Sequence, residues 1–386
     1  MRVMRILTRP NLGGPTRQAV ALWHAHAAQG LRTLLVTGAV DSAETALCPA
    51  DAGVPPVDRA QVLAGEPVAG WLALPELQRR PHLLRDRQAR GALRRLIETF
   101  APDVVHTHTS KAGWLGRRAA QDVGHGRVAH TFHGHVLRDY FGPLRSWLLA
   151  RLERRLATRT DLLFAVSASC ADELTAAGVA PRGRIAVVPP AVPLPEFAPR
   201  DAARRELGLP ADAQCLASIG RLVPIKRIEH FLAMLRLLPD VHGVVFGDGP
   251  LRTNLETAGR DLGGRLHWCG ARADAVRLLP AFDALVLPSR REGLPLVAVE
   301  AAAAGLPVVG YAVPGVQDAL GGGAGTLVAE HDGPAGLARA VAECLATPAA
   351  APRRLAAAAR LVAASAPDRV ATLLREAYGG HRPRAP

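Results

Sequence analysis

Short apolar runs rich in Val, Ile and Leu recur along the chain, separated by longer stretches in which apolar residues return every three or four positions. The short runs read as buried strands and the longer stretches as amphipathic helices. In the first half this pattern predicts strands near Met4–Thr8, Thr33–Thr37, Val104–His108, Val128–His133, Leu162–Val166 and Ile185–Val188. Helices are predicted over Thr16–Gln29, Arg87–Phe100, Lys111–Gln121, Pro143–Thr158 and Ala171–Ala177. Residues 189–199, PPAVPLPEFAP, then place five prolines in eleven positions. No helix or central strand tolerates that density, so the segment reads as an inter-domain linker. Beyond it the alternation resumes, with strands near Cys215–Ile219, Val241–Phe246, Arg265–Trp268, Ala284–Leu287, Pro307–Tyr311 and Thr326–Val328. Strand and helix in regular alternation give parallel sheets covered on both faces. The expected fold is therefore α/β: two Rossmann-like doubly wound domains, residues 1–190 and 196–365, facing a cleft, with residues 366–386 as a helix returning to the first domain.

Composition narrows the function classes. Of 386 residues, 49% are hydrophobic and 21% charged, which is the balance of a folded chain. Aromatic residues are only 4%, too few for a stacking platform, so a nucleic-acid partner is not expected. Five scattered cysteines show no CxxC pairing and argue for reduced thiols over a disulfide or zinc framework. The opening MRVMRILTRPNLGG reaches arginine and proline too soon for the apolar core of a signal peptide. The uncharged stretch from Gly293 to Val316 is broken by Glu300, glycines and prolines and does not read as a membrane span. A cytoplasmic protein is expected.

Charge is unevenly spread. Residues 1–195 hold 25 Lys and Arg against 15 Asp and Glu, while residues 196–386 hold 22 against 19. The basic first half suits anionic partners such as nucleic acid, a phospholipid surface or phosphate-bearing substrates, and general solubility charge is the competing reading. Only Lys111 and Lys226 are lysines among 47 basic residues, and a lysine kept among arginines points to a need for a compact ammonium.

The chemistry concentrates in residues 289–309, SRREGLPLVAVEAAAAGLPVV, where two carboxylates, Glu292 and Glu300, stand in apolar surroundings. A strand ends at the start of this stretch, Pro295 suits the first turn of a helix, and Gly305 suits its stop. Backbone N–H groups at Gly293 and Leu294 would then face a phosphate at the helix mouth. Two glutamates roughly 12 Å apart along a helix axis fit a ligand with a diphosphate between two sets of hydroxyls. A surface Glu292 and a Glu300 paired with an arginine is the competing reading. SIGRLVPIKR, residues 218–227, places Arg221 and Lys226 just after another strand, where two cations can hold a diphosphate. VVFGDGP, residues 244–250, is a further strand-to-glycine turn. Near the N-terminus, Gly13 and Gly14 separate the first strand from a helix capped near Thr16 and allow close backbone approach to a ligand.

Taken together, GGPTRQA, HTHTSKAG, TFHGH, GRLVPIK, FGDGP and REGLPLVAVEAAAAGLPVV resemble glycosyltransferase family 4, retaining nucleotide-sugar enzymes of the GT-B architecture. The likeness runs from the first strand to about residue 330 and is weakest between Ala39 and Arg80. It implies that Arg221 and Lys226 hold the donor diphosphate, Glu300 the ribose hydroxyls and Glu292 the transferred sugar. It places Gly13 and Gly14 near donor phosphate and acceptor, and His133 beside the donor sugar. The sequence contains no Asp-x-Asp pair, so no metal cofactor is expected, the Arg/Lys pair and a helix N-terminus taking the place of a cation.

Six of fourteen histidines fall within thirty residues: His106, His108, His125, His130, His133 and His135. His106 and His108 share one strand face, as in some metal-dependent hydrolases, and this is the alternative function from another class. A nucleotide-sugar epimerase on the same fold is a second alternative. On the acceptor side, His135 is a candidate, and Lys111, following Ser110 as N-cap, would meet an anionic acceptor. Residues 140–160, YFGPLRSWLLARLERRLATRT, are basic and amphipathic, which suits peripheral contact with an anionic membrane and a lipid-linked acceptor. A packed helix with a solvated arginine face is the competing reading.

Overall fold

The structure, a computed structural model, describes residues 1–40, 45–134, 142–346 and 352–380. The chain divides into two compact units, Met1–Pro193 with the C-terminal segment from Ala366, and Leu194–Ser365.

The first unit is built on seven parallel strands: β1 (Arg2–Leu7), β2 (Arg32–Thr37), β3 (Gly70–Ala73), β4 (Val104–His108), β5 (Arg127–Phe132), β6 (Leu162–Ala165) and β7 (Ile185–Val187), in the order β3-β2-β1-β4-β5-β6-β7. Alternation along β1 decides its two faces. Met4 and Ile6 pack with Leu34, Val36 and Val105 under the helices Leu83–Phe100 and Ser110–Val123. Val3 points the other way, into a cluster with Leu22, Ala25, Val370, Leu374 and Tyr378 from the helices Gly14–Ala28 and Pro367–Tyr378. The last helix is tied to the first by His26 Nε2 on the Ala371 carbonyl at 3.1 Å and by the Gln29 amide on Thr372 Oγ1 at 3.1 Å.

The second unit carries six parallel strands: β8 (Gln214–Ile219), β9 (Val241–Phe246), β10 (Leu266–Gly270), β11 (Ala284–Leu287), β12 (Val308–Tyr311) and β13 (Thr326–Val328), in the order β10-β9-β8-β11-β12-β13. Its inner strands β8, β9, β11 and β12 are mostly buried apolar residues, as a sheet covered on both faces requires, while the edge strands β10 and β13 are less buried. Pro189–Pro199 contains neither helix nor strand.

Both sheets follow the doubly wound plan, and each strand expected from the pattern is present. One strand the pattern missed, β3, lies at the sheet edge, after a stretch of sequence whose apolar residues have no regular period. Four helix starts differ from expectation: those expected at Arg87 and Ala171 lie at Leu83 and Ala168, and the other two bear on the site. The helix expected from Thr16 begins at Gly14, with Gly13 as N-cap, because Pro15 fits the first turn; Thr16 is buried and its hydroxyl donates to the Arg9 carbonyl at 3.3 Å. The helix carrying Lys111 begins at Ser110 itself, and its cap position is Thr109, held at φ 64°.

Candidate active site

In an open parallel sheet, ligands bind beyond the strand C-termini where the strand order reverses. In the second unit that point lies between β8 and β11. The loop after β8 runs Gly220–Arg221 and through a short helical turn, Pro224–Lys226; the loop after β11 runs through Ser289 to Glu292. A backbone bond from Arg290 N–H to the Ile225 carbonyl at 2.8 Å ties the two loops, and a 3.3 Å bond from Glu292 N–H to the Pro314 carbonyl ties the second to the loop after β12. These contacts bring Lys226 and Glu292 together although 66 residues separate them: Lys226 Nζ lies 2.5 Å from Glu292 Oε1. The Ser289 hydroxyl donates to the same oxygen at 2.7 Å.

The lysine stem crosses Gly220, where a Cβ would stand 3.3 Å from Lys226 Cε. Glycine is also demanded opposite. Gly247, at φ 138°, lies so close to the β8 loop that a Cβ would meet the Gly220 carbonyl oxygen at 1.9 Å. The glycine of FGDGP therefore has a packing reason independent of any ligand. Arg221 is exposed, and among the described residues its guanidinium makes no ion pair or hydrogen bond. One cation at this switch point is thus paired and partly sheltered, the other open to solvent.

The helix bearing Glu300 runs Leu296–Ala303, with Pro295 at its N-cap position, so Pro295 is not inside the first turn as expected. Gly305, at φ 71°, closes the helix: its N–H bonds the Ala302 carbonyl and the Leu306 N–H bonds Ala301, a Schellman stop. Gly293 and Leu294 lie in the loop ahead of the helix, and Glu292 precedes them, so the two glutamates do not share one helix axis. Gly315, at φ 80°, packs against this loop; a Cβ there would come within 2.5 Å of the carbonyl oxygens of Glu292 and Gly293. Glu300 is 1% exposed, against 12% for the Glu292 side chain and 20% for that of Lys226. The Lys226–Glu292 pair is therefore what a charged ligand meets first, while Glu300 lies in the drier environment.

The switch point of the first unit falls between β1 and β4. Gly13 and Gly14 follow β1 at a helix start with no side-chain cap and no acidic residue in the first turn; the Gly13 N–H bonds the Asn11 carbonyl at 2.7 Å and Pro15 has none, so Gly14 and Thr16 carry the N–H groups that could face an anion. Thr8 Oγ1, hydrogen-bonded to Thr109 Oγ1 at 2.7 Å, accepts the Ala112 N–H at 3.0 Å and so ties the helix after β4 to the end of β1. Lys111 does not present a bare ammonium to an acceptor. It lies 2.5 Å from Asp86 Oδ1 and 2.5 Å from the Arg80 carbonyl, with about a tenth of its side chain exposed. Asp86 thus offsets its charge, and Ser110 lies inside the helix instead of capping it. His135 lies outside the described residues.

The histidines surround a residue that the sequence did not single out. Arg5, on β1, is fully buried among imidazoles: Nη1 is 3.3 Å from His106 Nδ1 and 3.1 Å from His108 Nε2, and Nη2 is 3.1 Å from His26 Nδ1. Tyr378 OH sits 2.5 Å from His106 Nδ1, His106 Nε2 is 2.7 Å from Thr131 Oγ1, and His108 Nδ1 is 2.9 Å from His133 Nε2. Burial, and then the neighbouring guanidinium, hold His106 well below the usual imidazole range; burial and the facing imidazoles do the same for His108. The His133 ring, half-buried just past the end of β5, is brought down to about 4 by burial and by Arg5. This arrangement overturns the reading of His106 and His108 as a metal site. Their inward lone pairs are directed at a cation already present, and a metal ion there would face its charge. The sequence showed the histidines as a cluster, but their arginine was signalled only by its place between the apolar Met4 and Ile6.

A family model described as Glycosyltransferase Family 4 matches residues 12–195, and one described as Glycosyl transferases group 1 matches residues 213–347. The chain belongs to glycosyltransferase family 4. Among curated relatives, this family 4 chain is 34% identical over 253 residues to the UDP-Gal:alpha-D-GlcNAc-diphosphoundecaprenol alpha-1,3-galactosyltransferase of Escherichia coli, covering 61% of this chain and 64% of that one. It is 35% identical over 258 residues to the D-inositol 3-phosphate glycosyltransferase of Actinosynnema mirum, covering 59% and 61%. The matches thus span less than two thirds of these relatives' length. Solved structures of the same fold include sucrose-phosphate synthase from Thermosynechococcus elongatus, with TM-score 0.78, 22% identity, and 98% and 99% coverage. Anabaena HepE in complex with UDP and glucose gives TM-score 0.76, 19% identity, and 98% and 100% coverage.

Proposed function

We propose that the chain is a retaining glycosyltransferase that moves a sugar from a nucleotide diphosphate donor to a hydroxyl acceptor without a metal ion. The observation that carries this reading is the Lys226–Glu292–Ser289 constellation at the β8/β11 switch point, with Arg221 open beside it in sequence. An ammonium has three N–H donors, and one meets Glu292, which leaves two for phosphate oxygens. Arg221 adds a fork of donors. Both contacts to Glu292 fall on Oε1, so Oε2 is left for hydroxyls of the transferred sugar. Glu300, out of water, takes the ribose hydroxyls, and Gly293 and Leu294 offer backbone N–H groups to the phosphates.

In the transfer step the bond from the sugar C1 to the diphosphate oxygen breaks while a bond from the acceptor oxygen to C1 forms on the same face. The acceptor's proton passes to the departing phosphate oxygen, whose growing charge Arg221 and Lys226 offset. His133 acts beside the sugar, and the helix start at Gly13 and Gly14 serves the phosphate and acceptor side. A UDP-sugar is the first donor to test, because the E. coli relative is named for UDP-Gal and HepE was solved with UDP. That relative's name also makes a diphosphate-linked lipid the first acceptor to test. Among the described residues no helix is long and apolar enough to cross a membrane. Peripheral contact is supported by the helix Pro143–Ala157, whose Leu144, Trp147, Leu148 and Leu152 are exposed on one face with Arg151 and Arg155 among them.

Calorimetric titration with UDP-, GDP- and ADP-sugars, with and without EDTA, on wild type and Glu300→Ala tests the donor site. Binding of one nucleotide class, indifferent to EDTA and weakened in the variant, supports it; no binding by any class overturns it. NMR of the product's anomeric configuration then decides retention, and a freed epimerised donor in the same spectrum would mark an epimerase.

A further inference from the structure

We infer that Arg5 is a positioning residue for the transfer: through His108, its guanidinium holds His133 in the tautomer that carries its proton on Nδ1. The inference deepens the proposed function and rests on its placing of His133 beside the sugar.

The argument is a count of donors and acceptors. A guanidinium only donates. Arg5 Nη1 is 3.1 Å from His108 Nε2, so that nitrogen keeps its lone pair and the neutral ring carries hydrogen on Nδ1. His108 Nδ1–H then has His133 Nε2 at 2.9 Å as its acceptor, and His133 must carry its own hydrogen on Nδ1. The reverse direction would need His108 to hold two lone pairs and no proton. A doubly protonated His108 would set an N–H against the N–H of Arg5. The same count closes on an independent ring: His26 Nδ1 accepts from Arg5 Nη2 at 3.1 Å, and its Nε2–H meets the Ala371 carbonyl, which can only accept, at 3.1 Å.

Among the described residues no carboxylate lies within ion-pair distance of Arg5. A core position that needed only to be filled would be served by an apolar side chain, since burying an arginine without a counter-ion is costly. What the guanidinium supplies is direction. A cation donating to one end of a neutral imidazole polarises it and strengthens the N–H at its other end, and here two rings stand in series. His133 at the end of this chain is a donor that stays neutral, in keeping with the lowered pKa of its ring. That suits a transfer through an oxocarbenium-like state: a neutral N–H can bond a sugar hydroxyl, whereas an imidazolium would repel the developing positive charge.

The test is a long-range proton–nitrogen NMR spectrum of the full chain labelled with ¹⁵N-histidine at neutral pH, with His133→Gln identifying its signals. The expected result is a single His133 tautomer protonated on Nδ1. In His108→Leu, which breaks the chain and leaves Arg5 its bonds to His26 and His106, His133 should become a mixture containing the Nε2–H form. The same variant should lose about 10- to 100-fold in kcat, the range for removing the partner that orients a functional histidine, with the donor KM within about 2-fold. A wild-type His133 protonated on Nε2, or on both nitrogens, overturns the inference from the wild-type spectrum alone. So does a tautomer unchanged in His108→Leu. The expected tautomers without transfer from any nucleotide-sugar would uphold the role of Arg5 in fixing the ring and overturn the reaction assigned to it.

Discussion

Lys226 and Ser289 meet on one carboxylate oxygen of Glu292, so each can be removed without displacing the other. Ser289→Ala deletes a single hydrogen bond to a carboxylate, worth about 1.5–3 kcal/mol, and should lower kcat/KM about 10- to 100-fold with the fold intact. Lys226→Ala removes a full charge from the leaving-group side and should cost about 100- to 1,000-fold in kcat. Lys226→Arg should fail to restore it, because the stem already lies 3.3 Å from where a Gly220 Cβ would stand and the wider guanidinium needs more room. Steady-state kinetics with the titrated donor checks all three, and an arginine variant at wild-type rate would refute the need for a compact ammonium. At this scale the sequence was legible where a residue stood out from its surroundings: Glu292 and Glu300 in apolar company, Lys226 among arginines. Ser289 was not, although it lies only three residues from Glu292, because a serine after a strand is unremarkable without its partner. Arg5 meets His106 and Tyr378 from 101 and 373 positions away, contacts that only the sheet order and the last helix create.

The helix Pro143–Ala157 has two faces with different obligations. On its inner face Glu153 Oε1 accepts from Arg117 Nη2 at 2.5 Å, and Arg117, fully buried, also donates from Nε to the Gly113 carbonyl at 2.7 Å. Burial draws the Arg117 guanidinium below its ordinary range while Glu153 opposes the shift. Glu153→Ala would strand that charge, and about 3–5 kcal/mol of stability should be lost in urea unfolding, against about 0.5 kcal/mol for an exposed control such as Arg94→Ala. On the outer face, Trp147→Asp should weaken sedimentation with anionic vesicles and leave binding to neutral vesicles unchanged; equal sedimentation of both proteins would remove this face from the membrane proposal. Element by element, the edge strand β3 was missed, while the central strands were the most legible feature because both their faces are buried and their sequences are largely apolar. Helix starts were not, since Gly13 and Thr109 cap through backbone geometry and no side-chain cap marks them.

The molecule as a whole has its titratable core in one unit. His26, His106, His108 and His130 are buried in the first sheet and its covering helices, and each stays neutral well below the pH at which a free imidazole charges. Burial is the first cause throughout. The cations that add to it are Arg5 and Arg375 at His26, Arg5 at His106 and His108, and Arg117 at His130. A pKa lowered on folding means that the unfolded chain binds more protons below about pH 6.5, so stability falls as pH falls. Each such ring removes up to about 1.4 kcal/mol per pH unit below that value, until the pH nears its folded pKa, about 3 for His26. Carboxylates held low by ion pairs, such as Asp274 at about 2 beside Arg272, act in the same direction, but only as pH drops through the ordinary carboxylate range near 4. The interval from pH 6.5 to 5 therefore isolates the imidazoles. Scanning calorimetry across it should show the unfolding midpoint falling steadily, with a shallower fall in His130→Phe, which removes one ring without touching the Arg5 cluster. A midpoint that stays flat from pH 7 to 5 would mean these histidines take up protons in the folded chain as readily as in the unfolded one. The neutral core built around Arg5 would then be wrong.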